Sequence, residues 1–141
     1  MSRGKRTGQA ATTETRQQAE TVFTGFLREL VEGGFGVSGA VFFDGEGETV
    51  DHFSNMEEFQ IKVSAAHIEI ISRFAAEANR KICGMQPTEI VFSTPSTEFL
   101  DIPLGEGYHL GIIVNTDSCR RARLAARLPH LISEIKRTAG L

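Results

Sequence analysis

Apolar residues along this chain follow two rhythms: three- and four-residue steps in some stretches, short β-branched or aromatic runs in others. From about Glu14 to Glu32, Ala19, Val22, Phe23, Phe26, Leu27, Leu30 and Val31 form one helical stripe, ended by Gly33-Gly34. Val37 to Asp44 and Glu48 to Phe53 read as two strands of a hairpin turning at Asp44-Gly45-Glu46-Gly47. Ser54-Asn55 offers a cap, and Glu57 and Glu58 suit the N-terminal end of a helix dipole. A long helix follows, about Met56 to Cys83, with no Gly or Pro inside it. Strands are then expected at Glu89 to Ser93, Phe99 to Ile102 and Tyr108 to Asn115, antiparallel because their connectors are short. A last helix is expected from near Asp117 or Ser118 to just before Gly140, and Pro129 is expected to kink or split it.

The order α-β-β-α-β-β-β-α holds too few βαβ units for a doubly wound parallel sheet. It predicts an α/β (α+β) fold, a five-stranded and mostly antiparallel sheet sandwiched by helices.

The middle helix carries more apolar surface than one sheet face covers. Projected at about 100° per residue, Phe59, Val63, Ala66, Ile70 and Phe74 cluster, and Ile61, Ile68, Ile71, Ala75, Ala78 and Ile82 continue round from them. The arc spans roughly 220°, against the roughly 100° or more that a one-sided helix needs. The remaining arc is polar, with Lys62, Glu69, Arg73 and Arg80. A second copy of the chain is the economical cover for the surplus. The short strand Glu89 to Ser93, if it lies at the sheet edge, lets two copies pair there as well.

Composition narrows the class of function. The 141 residues suit one domain, and 40% hydrophobic with 23% charged residues is ordinary for a soluble globular protein. A net charge of -3 argues against nucleic acid as the main partner. No apolar run approaches the roughly 18 residues of a membrane span. Cys83 and Cys119 lie far apart, so neither a disulfide framework nor a zinc site is expected, and a reducing, cytoplasmic location fits. Residues 1–14 are basic and polar, with Arg3, Lys5 and Arg6. They are expected to be a disordered tail ahead of a domain spanning residues 15–141.

Chemistry-bearing patterns are sparse. Gly45-Glu46-Gly47 and Gly105-Glu106-Gly107 sit between strands, so they read as turns rather than phosphate loops. His52, His67, His109 and His130 show no metal-ligand spacing, although His67 falls inside the apolar arc. Cys119 stands beside Arg120 and Arg121 near a helix start, a setting that favours a thiolate, but no histidine is placed to serve it. Arg120, Arg121, Arg123 and Arg127 oppose the dipole of the last helix, so helix stability does not account for them. No convergent acid, base and nucleophile set is visible. The chain is expected not to be an enzyme and to need no cofactor or metal.

From about Thr15 to Gly140 the chain resembles the roadblock (dynein light-chain roadblock) family. The resemblance rests on Gly36-Val37-Ser38-Gly39-Ala40-Val41-Phe42-Phe43-Asp44-Gly45-Glu46-Gly47, on the long helix, on Glu89 to Ser93, and on Tyr108-His109-Leu110-Gly111-Ile112-Ile113-Val114 before the last helix. It implies a dimer in which middle helices pair and third strands join two sheets. It also implies an outer surface where small Ras-like GTPases or other roadblock proteins dock, as for the bacterial partners of a gliding-motility GTPase. On that pattern Ile61, Ala65, Ile68, Ile71, Ala75, Ile90 and Phe92 are the candidate dimer interface, and Lys62, Glu69, Arg73 and Arg80 the candidate partner surface. Replacing Ile68 is then expected to disturb assembly, and reversing charge at Arg73 to disturb partner binding alone. The alternative is a profilin-like small-molecule sensor, with a pocket between sheet and helix lined by groups such as His52, His67 or His109.

Overall fold

The computed structural model describes residues 20–141, so the basic tail and the expected helical residues 14–19 lie outside the described residues. The elements are α1 (Thr24–Glu32), β1 (Val37–Phe43), β2 (Thr49–Ser54), α2 (Glu58–Cys83), β3 (Ile90–Ser93), β4 (Thr97–Gly105), β5 (Tyr108–Asn115) and α3 (Arg121–Ala139). The strands form one antiparallel sheet in the order β2-β1-β5-β4-β3. The order of elements along the chain and the antiparallel five-stranded sheet are as expected, and β3 lies at one edge.

Strand alternation divides the core in two. On one face Ala40, Phe42, Leu100, Ile102, Leu104, Leu110, Ile112 and Val114 meet Leu27, Leu30 and Val31 of α1 and Leu124, Leu131 and Ile135 of α3. On the other face Val41, Phe43 and Ile113 meet Ile61, Ala65 and Ile68 of α2. The second cluster is much the smaller. A helix of 26 residues is thus held by three buried apolar side chains in its first half.

Three boundaries differ from expectation for identifiable reasons. Ser54 ends β2, and its hydroxyl accepts from the Met56 N–H at 2.7 Å, forming a turn ahead of α2 instead of capping it. Strand β4 runs on past Pro103. β3 pairs only with Glu98 to Asp101, so beyond that point one side of β4 has no partner strand and a missing N–H costs little. Pro129 does not split α3, which is a single helix of 19 residues. Leu124 on one side of the proline and Leu131 and Ile135 on the other are all buried, which holds both halves on the sheet.

The loop before β1 is stitched to the loop before α3. Arg120 N–H donates to the Phe35 carbonyl at 2.8 Å, and Asn115 N–H to the Gly36 carbonyl at 3.3 Å. Gly36 has φ +78°, and a Cβ there would clash with the Ser118 carbonyl oxygen. The Gly36→Ala variant is therefore expected to lose at least about 2 kcal/mol, through left-handed backbone and a backbone clash together. Urea unfolding measures it, and a midpoint unchanged from wild type would contradict this packing.

Candidate functional site: the free faces of the middle helix

The rotation of α2 on the sheet follows from its contacts. With Ile61 as zero and about 100° per residue, Ile68, Ser72 and Ala65 fall within about 40° of it, and all four are buried. Two flanks and a crest remain.

The first flank, near about 100° on the same wheel, holds Lys62, Glu69, Arg73 and Arg80 and faces the β1–β2 side. Gly47, in the β1–β2 turn at φ +81°, lies so close that a Cβ there would meet the Ala66 Cα at 3.0 Å and the Glu69 Cβ at 3.3 Å. The turn covers Glu69, which is only 4% exposed. Glu69 is held bidentate by Arg73, at 2.8 and 2.7 Å from Nη2, with a third bond of 3.0 Å from Nε. Lys62 pairs with Glu58 at 2.8 Å. The expected partner stripe is thus partly consumed inside the chain: Glu69 is not a surface group. Reversing Arg73 leaves a buried carboxylate facing a like charge, so it is no clean probe of a partner.

The crest, at about 160–220°, carries Phe59, Val63, Ile70 and Phe74. Phe59 is 76% and Phe74 68% exposed. The second flank, at about 260–320°, carries Ile71, Ala75, Ala78 and Ile82 and faces the β4–β3 side, away from Gly47. Ile71 is 44% and Ile82 83% exposed. In register, Ile90 and Phe92 of β3 stand opposite Asp101 and Phe99 of β4, which puts them on the α2 side of the sheet. Both are half-buried. Ile71, Ala75, Ile90 and Phe92 are thereby brought to one side of α2 at the edge strand. Ile61, Ala65 and Ile68 are not there. They face the chain's own sheet, because the six-residue cluster beneath α2 takes all three.

Beneath α2 lies a polar network that no motif announced. Asp101 is fully buried on β4. The Ser72 hydroxyl donates to its Oδ2, and His109 Nδ1 lies 2.9 Å from Oδ1 and 3.2 Å from Oδ2. The His109 ring stacks on Phe43, with centroids 5.0 Å apart. The carboxyl group sits between the hydroxyl and the imidazole, so the imidazole does not reach the serine as a base. The arrangement pins α2 to the sheet and lacks the geometry of a nucleophilic triad.

The other singled-out residues have local roles. His67, at about 240° on the same wheel, lies in the apolar arc between the crest and the second flank and is exposed there, and His109 belongs to the Asp101 network, so the histidines do not converge on a pocket. His52 is half-buried on β2. Burial, the largest influence, pushes its imidazole below the ordinary 6.5; Glu58 and Asp51 push up and Lys62 down. The folded chain then binds fewer protons at His52 than the unfolded chain. Its contribution to stability is present above 6.5 and is lost as pH falls through 6.5 toward the folded value. An NMR titration is expected to place the His52 midpoint below 6.5, and a midpoint at or above it would contradict this.

Burial pushes the Cys119 thiol up rather than down, against the thiolate expectation. One of its neighbouring arginines, Arg121, is bound to Glu98. Three members of the arginine cluster now have partners: Arg121 on Glu98, Arg127 on Glu29 at 2.9 Å, and Arg123 over the Phe35 ring at 6.0 Å. They tie α3 to α1, β4 and the α1–β1 loop, which explains cations placed against a helix dipole. Among the described residues there is no group of three or more His, Cys, Asp or Glu able to hold a metal, and no helix long and apolar enough to cross a membrane.

No protein-family model and no curated protein sequence matches the chain. Among solved structures it is similar to a roadblock/LC7 domain from Streptomyces avermitilis, with a TM-score of 0.74 at 15% identity over 83% of this chain and 97% of that one. It is similar to MglB from Myxococcus xanthus, with a TM-score of 0.72 at 9% identity over 85% of this chain and 98% of that one. MglC from the same organism gives a TM-score of 0.53 at 19% identity over 81% and 99%. The chain has the roadblock/LC7 fold.

Proposed function

We propose that this chain is a non-catalytic, dimeric roadblock module that regulates or scaffolds a small Ras-like GTPase system, binding the GTPase or another roadblock protein. The observation that carries the reading is the free apolar surface of α2. Five large hydrophobic residues on one helix, Phe59, Ile70, Ile71, Phe74 and Ile82, are each more than 40% exposed. Exposed apolar residues in such number along one element mark a contact surface. Similarity of fold to MglB and MglC supports a role in a GTPase system.

The two apolar faces have separate jobs in this proposal. The flank with Ile71, Ala75 and Ile82, together with Ile90 and Phe92 on the edge strand, meets a second copy, and the two β3 edges pair. Ile61, Ala65 and Ile68 support that surface from beneath. The crest with Phe59, Ile70 and Phe74 stays outward on the assembled dimer for the partner, flanked by Lys62, Arg73 and Arg80. An apolar core enriched in aromatic residues and bordered by a polar rim is the usual make-up of a protein interface.

Pulldown with the cognate Ras-like GTPase in its GDP- and GTP-bound states, with and without other roadblock proteins, tests the assignment. Retention of at least one is expected, and Phe74→Asp is expected to abolish it while leaving the dimer intact. Failure to retain any of them would overturn the assignment. A GTP hydrolysis assay on the same GTPase then separates an activator from a scaffold.

A further inference from the structure

A cleft of about 440 Å³ lies between α3 and the sheet, on the face opposite α2. Its walls are largely apolar, with Leu100, Ile102, Val114, Leu124, Leu128 and Ile132. Glu98 lines it from β4, in phase with Leu100 and Ile102, and is only 4% exposed. Among the described residues its carboxyl group has one partner: Arg121 donates to Oε2, and Oε1 accepts from none of them. The Arg121 side chain is 68% exposed, so the balancing charge is a surface arm rather than a packed neighbour. Glu89 adds a second acid to the lining. Pro129 has no N–H to give the carbonyl of Ala125 one turn earlier, and both residues line the cleft. The slot is therefore largely apolar, with two acids, Glu89 and Glu98, against one cation, Arg121, in its lining.

We propose that this cleft binds a small organic cation, an amine or amidinium on an apolar body, whose N–H groups take Glu98 over from Arg121. A buried carboxylate is costly unless it is closely paired, and charge-assisted donors are its strongest partners. Arg121 loses side-chain freedom to hold that position in contact with water, which weakens its hold. A ligand whose body fills the apolar walls brings its cation already oriented. The volume lies within the roughly 300–1,000 Å³ of small-molecule sites. An anionic ligand meets Glu89 and Glu98 and is disfavoured.

The test uses 4-phenylbutylamine, 4-phenylbutan-1-ol and 4-phenylbutanoate, which share one apolar body. Titrated into the full-length chain and followed by amide NMR, the amine is expected to shift Val114, Leu124 and Leu128. It should bind at least about tenfold more tightly than the alcohol, and the carboxylate should not bind there. Arg121→Ala removes the competing guanidinium and is expected to tighten the amine by several fold, whereas Glu98→Gln should erase the preference for amine over alcohol. The wild-type series decides the matter even if neither variant folds. Equal binding of the three probes, shifts confined to another surface, no shifts at millimolar amine, or weaker amine binding by Arg121→Ala would each overturn the proposal.

Discussion

Replacing Asp101 with alanine is expected to cost about 2–5 kcal/mol of stability, because two groups beneath α2 each lose a hydrogen-bond partner at about 1–3 kcal/mol apiece. Asp101 is fully buried and bonded to Ser72 and His109. Its loss leaves a hydroxyl and an imidazole under α2 without their partner, and unpaired buried groups bear their full desolvation cost. The effect is large because little else holds the second half of α2: its buried apolar contacts end at Ile68, and Ser72 is the next buried residue in phase. Asp101→Asn keeps the shape and one acceptor and is expected to lose less, about 1–2 kcal/mol. Urea denaturation measures both. A loss below about 1 kcal/mol for alanine would mean that the network does not anchor the helix.

The second large effect is on assembly. Ile71→Glu combined with Ile82→Glu is expected to raise the dimer dissociation constant about 100-fold or more, which is roughly 2.8 kcal/mol. Ile82 is 83% and Ile71 44% exposed in the single chain, so Ile82 in particular carries little of the fold. In a dimer seam each glutamate would be a desolvated, unpaired charge. Ile68→Ala reports on the opposite side of the helix. That side chain is 4% exposed in the cluster beneath α2, and its truncation is expected to cost about 2–5 kcal/mol of folding stability, with assembly affected only through folding. Sedimentation of the glutamate variant against wild type separates the two faces. Unchanged association would place the seam elsewhere.

The contrast between Ile68 and Ile71 shows how far the sequence reads. Helical spacing fixes the angle between any two residues of α2, and it made the excess of apolar surface visible. It does not fix the rotation of the helix on the sheet. That rotation depends on the Gly47 turn crossing Ala66 and Glu69, and on Ser72 reaching Asp101, contacts with no local signature. One signal was available. Asp101 stands between Leu100 and Ile102 in the otherwise apolar stretch Phe99 to Leu104, and Ser72 falls in phase with Ile61, Ala65 and Ile68. A polar residue at each of two buried positions invites pairing. The crest was missed for a related reason: Phe59 and Phe74 look like core residues, and only the small footprint of α2 on the sheet exposes them. The pairings of β1 with β2 and of β4 with β3 and β5 were more accessible, because their connectors are short, whereas the β1–β5 pairing joins strands about 70 residues apart and has no local signal. The arginines of α3 were unreadable locally, since Glu98 and Glu29 lie 23 and 98 positions away.

In the proposed assembly a second copy covers the free side of α2. Light scattering coupled to size-exclusion chromatography of the wild-type chain at micromolar concentration tests it most directly. The expected mass is twice the 15.4 kDa of one chain, and a clean 15.4 kDa species at that concentration would contradict it.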